Sequence, residues 1–249
     1  MTLDSPRHRS ALFAEMADAT DRVLETVAGL DEQALRDPSG LPGWTRGHVL
    51  AHLERNADGM ANLVTWARTG VETPMYASRE ARNADIQSGA GADLAGHQAE
   101  LAASAERLMR AFVDFPEEAT AAVIRMGSGT EVRGGDLAGL RIRELEIHHV
   151  DLAAGYTPAH WSAGFATRTL DQLAPFFAAQ RVMPVGTLVA TDPDLPARAA
   201  RRWTVAPAGP VLSGPRTALL AWLIGRSDGD GLVLDEDTPT PVPPAPAWV

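Results

Sequence analysis

The chain has 249 residues, of which 45% are hydrophobic, and this length predicts one large domain or two modest ones rather than a disordered segment or a coiled coil. Its 22 basic and 32 acidic residues give a formal net charge of -10, which disfavours nucleic acid and anionic membranes as main partners. The chain has no cysteine, so disulfide bonds, thiolate metal ligands and a cysteine nucleophile are excluded.

No segment of the sequence has the composition of a targeting or membrane-spanning element. Residues 1–9 lack the apolar run of a signal peptide, and the longest apolar stretch, Ala218 to Ile224, is too short to cross a bilayer. We therefore expect a cytoplasmic protein without membrane or nucleic-acid partners, and we expect it to be a monomer.

Apolar residues at three- and four-residue spacing predict four long helices in the first part of the chain. They cover residues 6–30, 45–70, 92–115 and 137–154. A short polar helix is expected to begin near Ser78, and residues 122–126 and 131–133 are expected to form a short extended excursion. Four long amphipathic helices predict a four-helix bundle over residues 1–155.

The pattern changes in residues 156–249, where short strands alternate with helices. Helices are predicted over 165–179 and 215–224, and the short strands over 186–191, 203–206, 211–213 and 232–234. This pattern predicts a small α/β domain, and the proline-rich tail from residue 239 to 249 is expected to be irregular. The predicted fold is thus mainly α with a smaller α+β part.

The fourth predicted helix carries Glu144 and His148, which are four residues apart. This spacing places both side chains on one face of a helix, within reach of a single cation. The same spacing is common in surface pairs, so by itself it leaves the metal and surface interpretations open. Glu146 and His149 are expected to point away from this pair, with His149 facing solvent.

A metal site needs a further ligand from another helix, and the second helix offers His48 and His52. They are also four residues apart, and the spacing alone leaves open which of them faces the fourth helix. Metal sites in helical bundles are built from inward-facing histidines and carboxylates on facing helices. A site of two histidines and one glutamate leaves open coordination positions, as catalytic zinc sites do.

Several other polar or aromatic residues can be read in two ways. Arg82 and Arg226 are either solvated loop arginines or guanidinium groups that hold a substrate carboxylate. Trp44, just before the second helix, is expected to act as a hydrophobic staple. Three more histidines, His8, His97 and His160, have no evident partner in the sequence.

Several segments of the sequence resemble the mycothiol-dependent maleylpyruvate isomerase family, which belongs to the DinB-like superfamily of metal-binding four-helix bundles. They are Leu41-Pro-Gly-Trp-Thr-Arg-Gly-His-Val-Leu-Ala-His52, Asn62-Leu-Val-Thr-Trp-Ala-Arg-Thr-Gly70, Glu72-Thr-Pro-Met-Tyr76, Glu80-Ala-Arg-Asn83 and Arg143-Glu-Leu-Glu-Ile-His-His-Val-Asp-Leu152. The resemblance extends into the last third of the chain, because the Gly225-Arg226 turn is similar to that of the family's C-terminal domain.

The resemblance implies a site of defined composition. It implies that His52, Glu144 and His148 bind a divalent metal, usually zinc, and that Arg82 and Arg226 face the substrate. Arg82 is further expected to stabilise the carboxylate and the developing enolate, and mycothiol is expected as the thiol cosubstrate. The small-molecule substrate would then be maleylpyruvate, an intermediate of aromatic degradation.

The expected mechanism begins with a metal-activated thiolate. An external thiol has to supply it, because the chain has no cysteine. Its addition to the cis double bond of maleylpyruvate allows rotation, and elimination releases fumarylpyruvate. The alternative within enzymes is a mycothiol S-transferase that uses the same site on another electrophile. A non-catalytic ligand-binding protein is the second alternative.

Overall fold

A computed structural model describes residues 6–194, 201–235 and 241–246 of the chain. The chain divides into two compact units, Met1–Tyr156 and Thr157–Val249. The predicted domain boundary after residue 155 lies one residue from this division. Within the described residues, no helix has the length and apolar character needed to cross a membrane.

In its described residues, the first unit is built from five α-helices and one short hairpin. The helices are α1 (Pro6–Ala28), α2 (Arg46–Thr69), α3 (Arg79–Gly89), α4 (Leu94–Ala111) and α5 (Leu137–Asp151). The hairpin pairs β1 (Val123–Arg125) with β2 (Glu131–Arg133) in antiparallel register. The four predicted long helices correspond to α1, α2, α4 and α5, and the predicted short polar helix corresponds to α3.

Capping residues mark both ends of α2 and the beginning of α4, whereas α4 ends at Ala111, before the predicted end at residue 115. Thr45 is the N-cap of α2, and Gly70 ends the helix in the left-handed conformation with φ of 71°. Asp93 is the N-cap of α4, and its carboxylate accepts a hydrogen bond from the Gly96 amide.

Helix α2 forms the centre of the bundle, because it packs against both α4 and α5. Helix α1 closes the other side by packing on α4 and α5. The α2 core positions are fully buried, among them Val49, Leu50, Leu53, Met60 and Leu63. Burial of these apolar side chains is the main favourable term that holds α2 between its neighbours.

Helix α3 lies on α2 at very short range. A Cβ atom at Gly47 would come within 2.5 Å of the Ala90 carbonyl oxygen, so only glycine permits this approach. The contact fixes the end of α3 against the beginning of α2. As a result, α3 lies over the part of α2 that carries the candidate ligand His52.

The part of the second unit that the structure describes contains a four-stranded sheet and two α-helices. The helices are α6 (Ala163–Gln180) and α7 (Arg216–Leu223), and the strands are β3 (Thr187–Ala190), β4 (Arg202–Thr204), β5 (Val211–Gly214) and β6 (Val233–Asp235). The strand order is β4-β3-β5-β6, in which only β3 and β5 are parallel. Alternate residues of β3 and β5 are buried, and both α6 and α7 contact the sheet.

This arrangement confirms the predicted fold class, mainly α with a smaller α+β part. Pro215 differs slightly from its predicted place, since it is the N-cap of α7 rather than its first residue. In the predicted irregular tail, residues 241–246 have no regular secondary structure, and residues 239, 240 and 247–249 lie outside the described residues.

Candidate metal centre

Three potential ligands from two helices meet in the first unit. One ligand atom from each of His52, Glu144 and His148 lies within 4.8 Å of the other two. Glu144 Oε2 is 3.1 Å from His52 Nε2 and 3.6 Å from His148 Nε2. Among the described residues, this is the one group of three or more such side chains with metal-binding spacing.

The secondary structure explains why these atoms converge. Glu144 and His148 are one turn apart on α5, so they present the same face to α2. His52 points from α2 into this face, and its ring meets the His148 ring edge-to-face with centroids 4.5 Å apart. The side chain of His52 is almost fully buried, whereas Glu144 and His148 retain exposures of 23% and 17%. The group is therefore partly accessible to solvent.

The choice between His48 and His52, which the spacing left open, is resolved by helix capping. His48 forms a capping box with Thr45, whose backbone amide and hydroxyl lie 3.2 and 2.8 Å from His48 Nδ1. His48 therefore serves the beginning of α2. Trp44, the predicted staple, lies beside both rings, with centroid distances of 6.1 Å to His48 and 5.8 Å to His52.

Two further contacts orient the potential ligands. Asp151 Oδ2 is 2.9 Å from His148 Nδ1, which leaves Nε2 facing Glu144. Asn56 Nδ2 donates to Glu144 Oε2 at 3.1 Å, and Asn56 Oδ1 accepts from the buried Arg141 guanidinium at 2.7 Å. A guanidinium can only donate hydrogen bonds, so the contact with Arg141 fixes the direction of the Asn56 amide.

The electrostatics of the group separate the two histidines. Burial and the neighbouring His148 lower the pKa of His52 to about 4. Burial acts in the same direction on His148, but its contacts with Asp151 and Glu144 raise its pKa to about 8. Burial alone would raise the pKa of Glu144, but the neighbouring imidazoles of His148 and His52 hold it well below its usual range. Near pH 7 a neutral His52 thus lies beside an ionised Glu144 and a protonated His148.

The predicted substrate residue Arg82 lies on α3 and reaches this group. Its Nη2 atom is 3.1 Å from His52 Nδ1, and its guanidinium carbon is 5.8 Å from the centre of the Tyr76 ring. Burial raises the pKa of Tyr76. The structure therefore places Arg82 beside a potential metal ligand rather than in a solvated loop.

Arg226, the second predicted substrate residue, belongs to the other unit. It follows α7 and Gly225, which has φ of 71°, and its Nη1 atom donates to the Ile224 carbonyl at 2.7 Å. Its role in substrate binding stays a prediction.

The expectation that His149 faces solvent is wrong. His149 is buried, its Nε2 is 2.7 Å from Thr26 Oγ1, and its ring stacks on Tyr156 at 3.7 Å. Glu146 does point away from the candidate centre, but it is also buried and contacts Arg22 and Tyr156, each at 2.5 Å. The sequence pattern missed this because α1 covers that side of α5.

His97 and His160 also have partners that the sequence did not reveal. His97 is fully buried on α4, and its Nδ1 is 2.7 Å from Glu54 Oε1 on α2. His160 Nδ1 is 3.0 Å from the Thr157 amide at the start of a short 3₁₀ helix. The first contact links α4 to α2, and the second supports the beginning of the short 3₁₀ helix.

The sequence patterns did not point to Asn56 and Asp151, which contact the candidate ligands, or to Arg141, which contacts Asn56. A signal was present, because each lies three or four residues from a ligand on the same helix. Asn56 follows His52 by four positions, Asp151 follows His148 by three, and Arg141 precedes Glu144 by three. Extending the helical spacing by one turn would have found them.

Comparison with known proteins agrees with this architecture. The family model described as the mycothiol maleylpyruvate isomerase N-terminal domain matches residues 16–153. A crystal structure of the mycothiol-dependent maleylpyruvate isomerase is similar over the whole chain, with 28% identity and a TM-score of 0.85, and 98% of that chain is covered. A second, of its H52A mutant, has 27% identity, a TM-score of 0.85 and the same coverage. Comparison with curated proteins gives no match.

Proposed function

Since the chain belongs to the mycothiol maleylpyruvate isomerase family, we propose that it is a thiol-dependent cis–trans isomerase that converts maleylpyruvate to fumarylpyruvate at a metal site formed by His52, Glu144 and His148. The observation that carries the proposal is the convergence of these three side chains within 4.8 Å, inside the unit that the family model covers. Mycothiol is the proposed cosubstrate.

The three residues are a chemically suitable set for a divalent cation such as zinc. Two imidazole nitrogens and one carboxylate oxygen are donors that zinc commonly uses, and three protein donors leave a position open. The carboxylate is ionised, and the His148 Nδ1 contact with Asp151 leaves Nε2 directed at it. When bound, the metal would supply a Lewis acid that keeps a coordinating thiol deprotonated near neutral pH.

The substrate and the product of the proposed reaction are cis–trans isomers, so no atoms are gained or lost. The cis double bond becomes a single bond when the thiol sulfur adds to it, and the electron pair moves onto the conjugated carbonyl. Rotation about that single bond and loss of the thiol then re-form the double bond in the trans arrangement. The thiol has to come from outside, because the chain contains no cysteine.

Arg82 is proposed to bind a substrate carboxylate and to stabilise the developing enolate. Its guanidinium is held close to His52 and Tyr76 by the contacts described above. The contact with His52 Nδ1 requires that this nitrogen carries no proton. Use of His52 Nε2 as a ligand leaves the ring proton on Nδ1, which would free the guanidinium for a bidentate carboxylate contact.

The proposal can be tested with purified full-length protein, zinc, mycothiol and maleylpyruvate. We expect conversion to the trans isomer without consumption of thiol, and loss of that conversion in His52→Ala. In Arg82→Met we expect KM to rise by about 10- to 100-fold, since hydrogen bonds to charged groups contribute about 1.5–3 kcal/mol.

Two other results would contradict the proposed isomerase activity. A stable thiol adduct with another electrophile, and no cis–trans conversion, would instead identify a mycothiol S-transferase. Purified protein that binds no metal, and whose ligand binding is unchanged in His52→Ala, would instead indicate a non-catalytic binding protein.

A further inference from the structure

The loop between α1 and α2 meets the C-terminal end of α5 beside the candidate metal centre. We infer that this junction positions the two histidine rings for metal binding, with Asp151 as the residue that orients His148. The junction consists of Gly40, Trp44, Arg46 and Asp151. The inference rests on the proposed metal site and goes beyond it, because none of these four residues is a proposed ligand.

The most direct contact of the junction is between Asp151 and His148. The two residues are three positions apart on α5, Asp151 is buried, and its Oδ2 atom lies 2.9 Å from His148 Nδ1. A carboxylate at Nδ1 keeps a ring proton on that nitrogen, so Nε2, which faces Glu144, is the nitrogen that can exchange its proton for a metal ion. Carboxylates in this position orient histidine ligands and increase their basicity.

The loop holds the end of α5 in place through backbone contacts. The Gly40 amide donates to the Asp151 carbonyl at 2.7 Å, and a Cβ atom at Gly40 would come within 3.3 Å of Asp151 Cα. A side chain at position 40 would therefore crowd the helix end. The absence of one lets the loop backbone approach the residue that contacts His148.

Arg46 provides a second attachment to the same helix end. Its Nε atom donates to the Leu152 carbonyl at 2.8 Å, and its Nη2 atom donates to the Ala153 carbonyl at 2.9 Å. Carbonyls at the end of a helix lack partners within the helix, and a positive charge is favourable there. A salt bridge of 2.8 Å to Asp37 in the same loop fixes the guanidinium.

Trp44 connects the loop to the other histidine. Its ring meets the His52 ring edge-to-face at 5.8 Å, and the His52 ring in turn meets the His148 ring at 4.5 Å. One loop thus contacts His52 directly and His148 through Asp151. Fixing both rings before a cation arrives reduces the ordering that binding itself must impose.

The test measures the zinc affinity of the full-length chain by competition with a chromophoric chelator at fixed pH. Asp151→Asn keeps the size of the side chain but removes its charge, and we expect zinc binding to weaken by about 10- to 100-fold. The matched control is Asp171→Asn. Asp171 contacts Arg201 and Trp203 in the second unit, so the same substitution there should leave zinc affinity unchanged.

Zinc affinity of Asp151→Asn within about twofold of the original chain would overturn the inference. Should that variant fail to fold, as judged by circular dichroism, Arg46→Met supplies the comparison. It should weaken zinc binding, whereas Arg22→Met, which removes an arginine from the opposite side of α5, should not. Equal affinities in these two arginine variants would also overturn it. If the unaltered chain binds no zinc, the proposed metal site itself is wrong.

Discussion

Two faces of helix α5 carry the same pair of residue types in different surroundings. Glu144 and His148 face α2 and meet His52, another potential ligand. Glu146 and His149 face α1, where Arg22, Tyr156 and Thr26 contact them. Both carboxylates and both rings have polar contacts, so the number of contacts does not distinguish the two faces.

The two faces differ in whether the groups that contact the carboxylate can release a proton and bind a metal ion. A histidine nitrogen can exchange a proton for a metal ion, whereas a guanidinium is always protonated and has no free lone pair. Both oxygens of Glu146 accept structural hydrogen bonds, one from a guanidinium and one from a phenol. Glu144 is held by imidazoles and an amide, and its imidazole partners can become ligands with it. The comparison shows that the type of partner, more than residue type or burial, separates a candidate site from a structural network.

The strongest test makes the same substitution on each face. Glu144→Gln should weaken zinc binding by more than about 100-fold and abolish isomerase activity, because loss of a ligand exceeds the loss of an orienting residue. Glu146→Gln should leave zinc affinity and KM unchanged. Zinc competition and the isomerase assay measure both effects. Equal losses in the two variants would remove the distinction between the faces.

Metal removal should change the stability of variants on the two faces of α5 differently. A cation bound only to the folded chain stabilises it by about 2.7 kcal/mol at a free concentration one hundred times its Kd. A chelator should therefore lower the melting temperature of the unaltered chain and of Glu146→Gln, but not that of Glu144→Gln. Calorimetry with and without chelator gives the comparison, and a chelator response in Glu144→Gln would contradict it.

The pKa values of His52 and His148 also predict how the stability of the metal-free protein depends on pH. The pKa of His148 is raised to about 8, so its stabilising contribution is complete below about pH 6.5 and is lost as pH rises through 8. The pKa of His52 is lowered to about 4, so stability is lost as pH falls from about 6.5 through 4.

The metal-free chain should therefore be most stable near pH 6.5, with a loss on the order of 2 kcal/mol by pH 9 that is attributable to His148. Urea unfolding across this range measures the free energy of unfolding. In His148→Gln the decline above pH 6.5 should become shallower. An unchanged decline would assign it to other groups.

The smallest expected effect concerns the α1 side. Tyr156→Phe removes the hydrogen bond to Glu146 and should lower the free energy of unfolding by about 1.5 kcal/mol, the lower end of the range for a hydrogen bond to a charged group. Zinc affinity should not change, because the α1 side does not contact the candidate ligands. Urea unfolding and zinc competition on the same preparation check both statements, and weaker zinc binding in this variant would show that the faces are coupled.

The fold could be predicted in outline because its signals are local. Apolar periodicity marked the long helices, and Thr45 and Gly70 marked the two ends of α2 through capping chemistry. The helix that spans Ala163–Gln180 in the structure was also predicted, over residues 165–179, although Pro175 lies inside it. These features depend on neighbours within about one turn, which the sequence contains directly.

The candidate site could be predicted only in part. Spacing identified Glu144 with His148, but it could not choose between His48 and His52. The family resemblance pointed to His52, and the capping role of His48 gives the physical reason. The burial of His149 was not predictable from α5 alone, because it depends on α1, more than 100 residues earlier in the chain.

By itself, the sequence determined the helices, their capped ends, the lack of an internal thiol and the presence of two Glu-His pairs on one helix. Only the tertiary structure decided which pair faces another histidine and which faces an arginine and a tyrosine. The reason is that helical periodicity fixes the angle between side chains on one helix, whereas the helix packed against each face determines whether a carboxylate is available to a cation or already neutralised by a fixed charge.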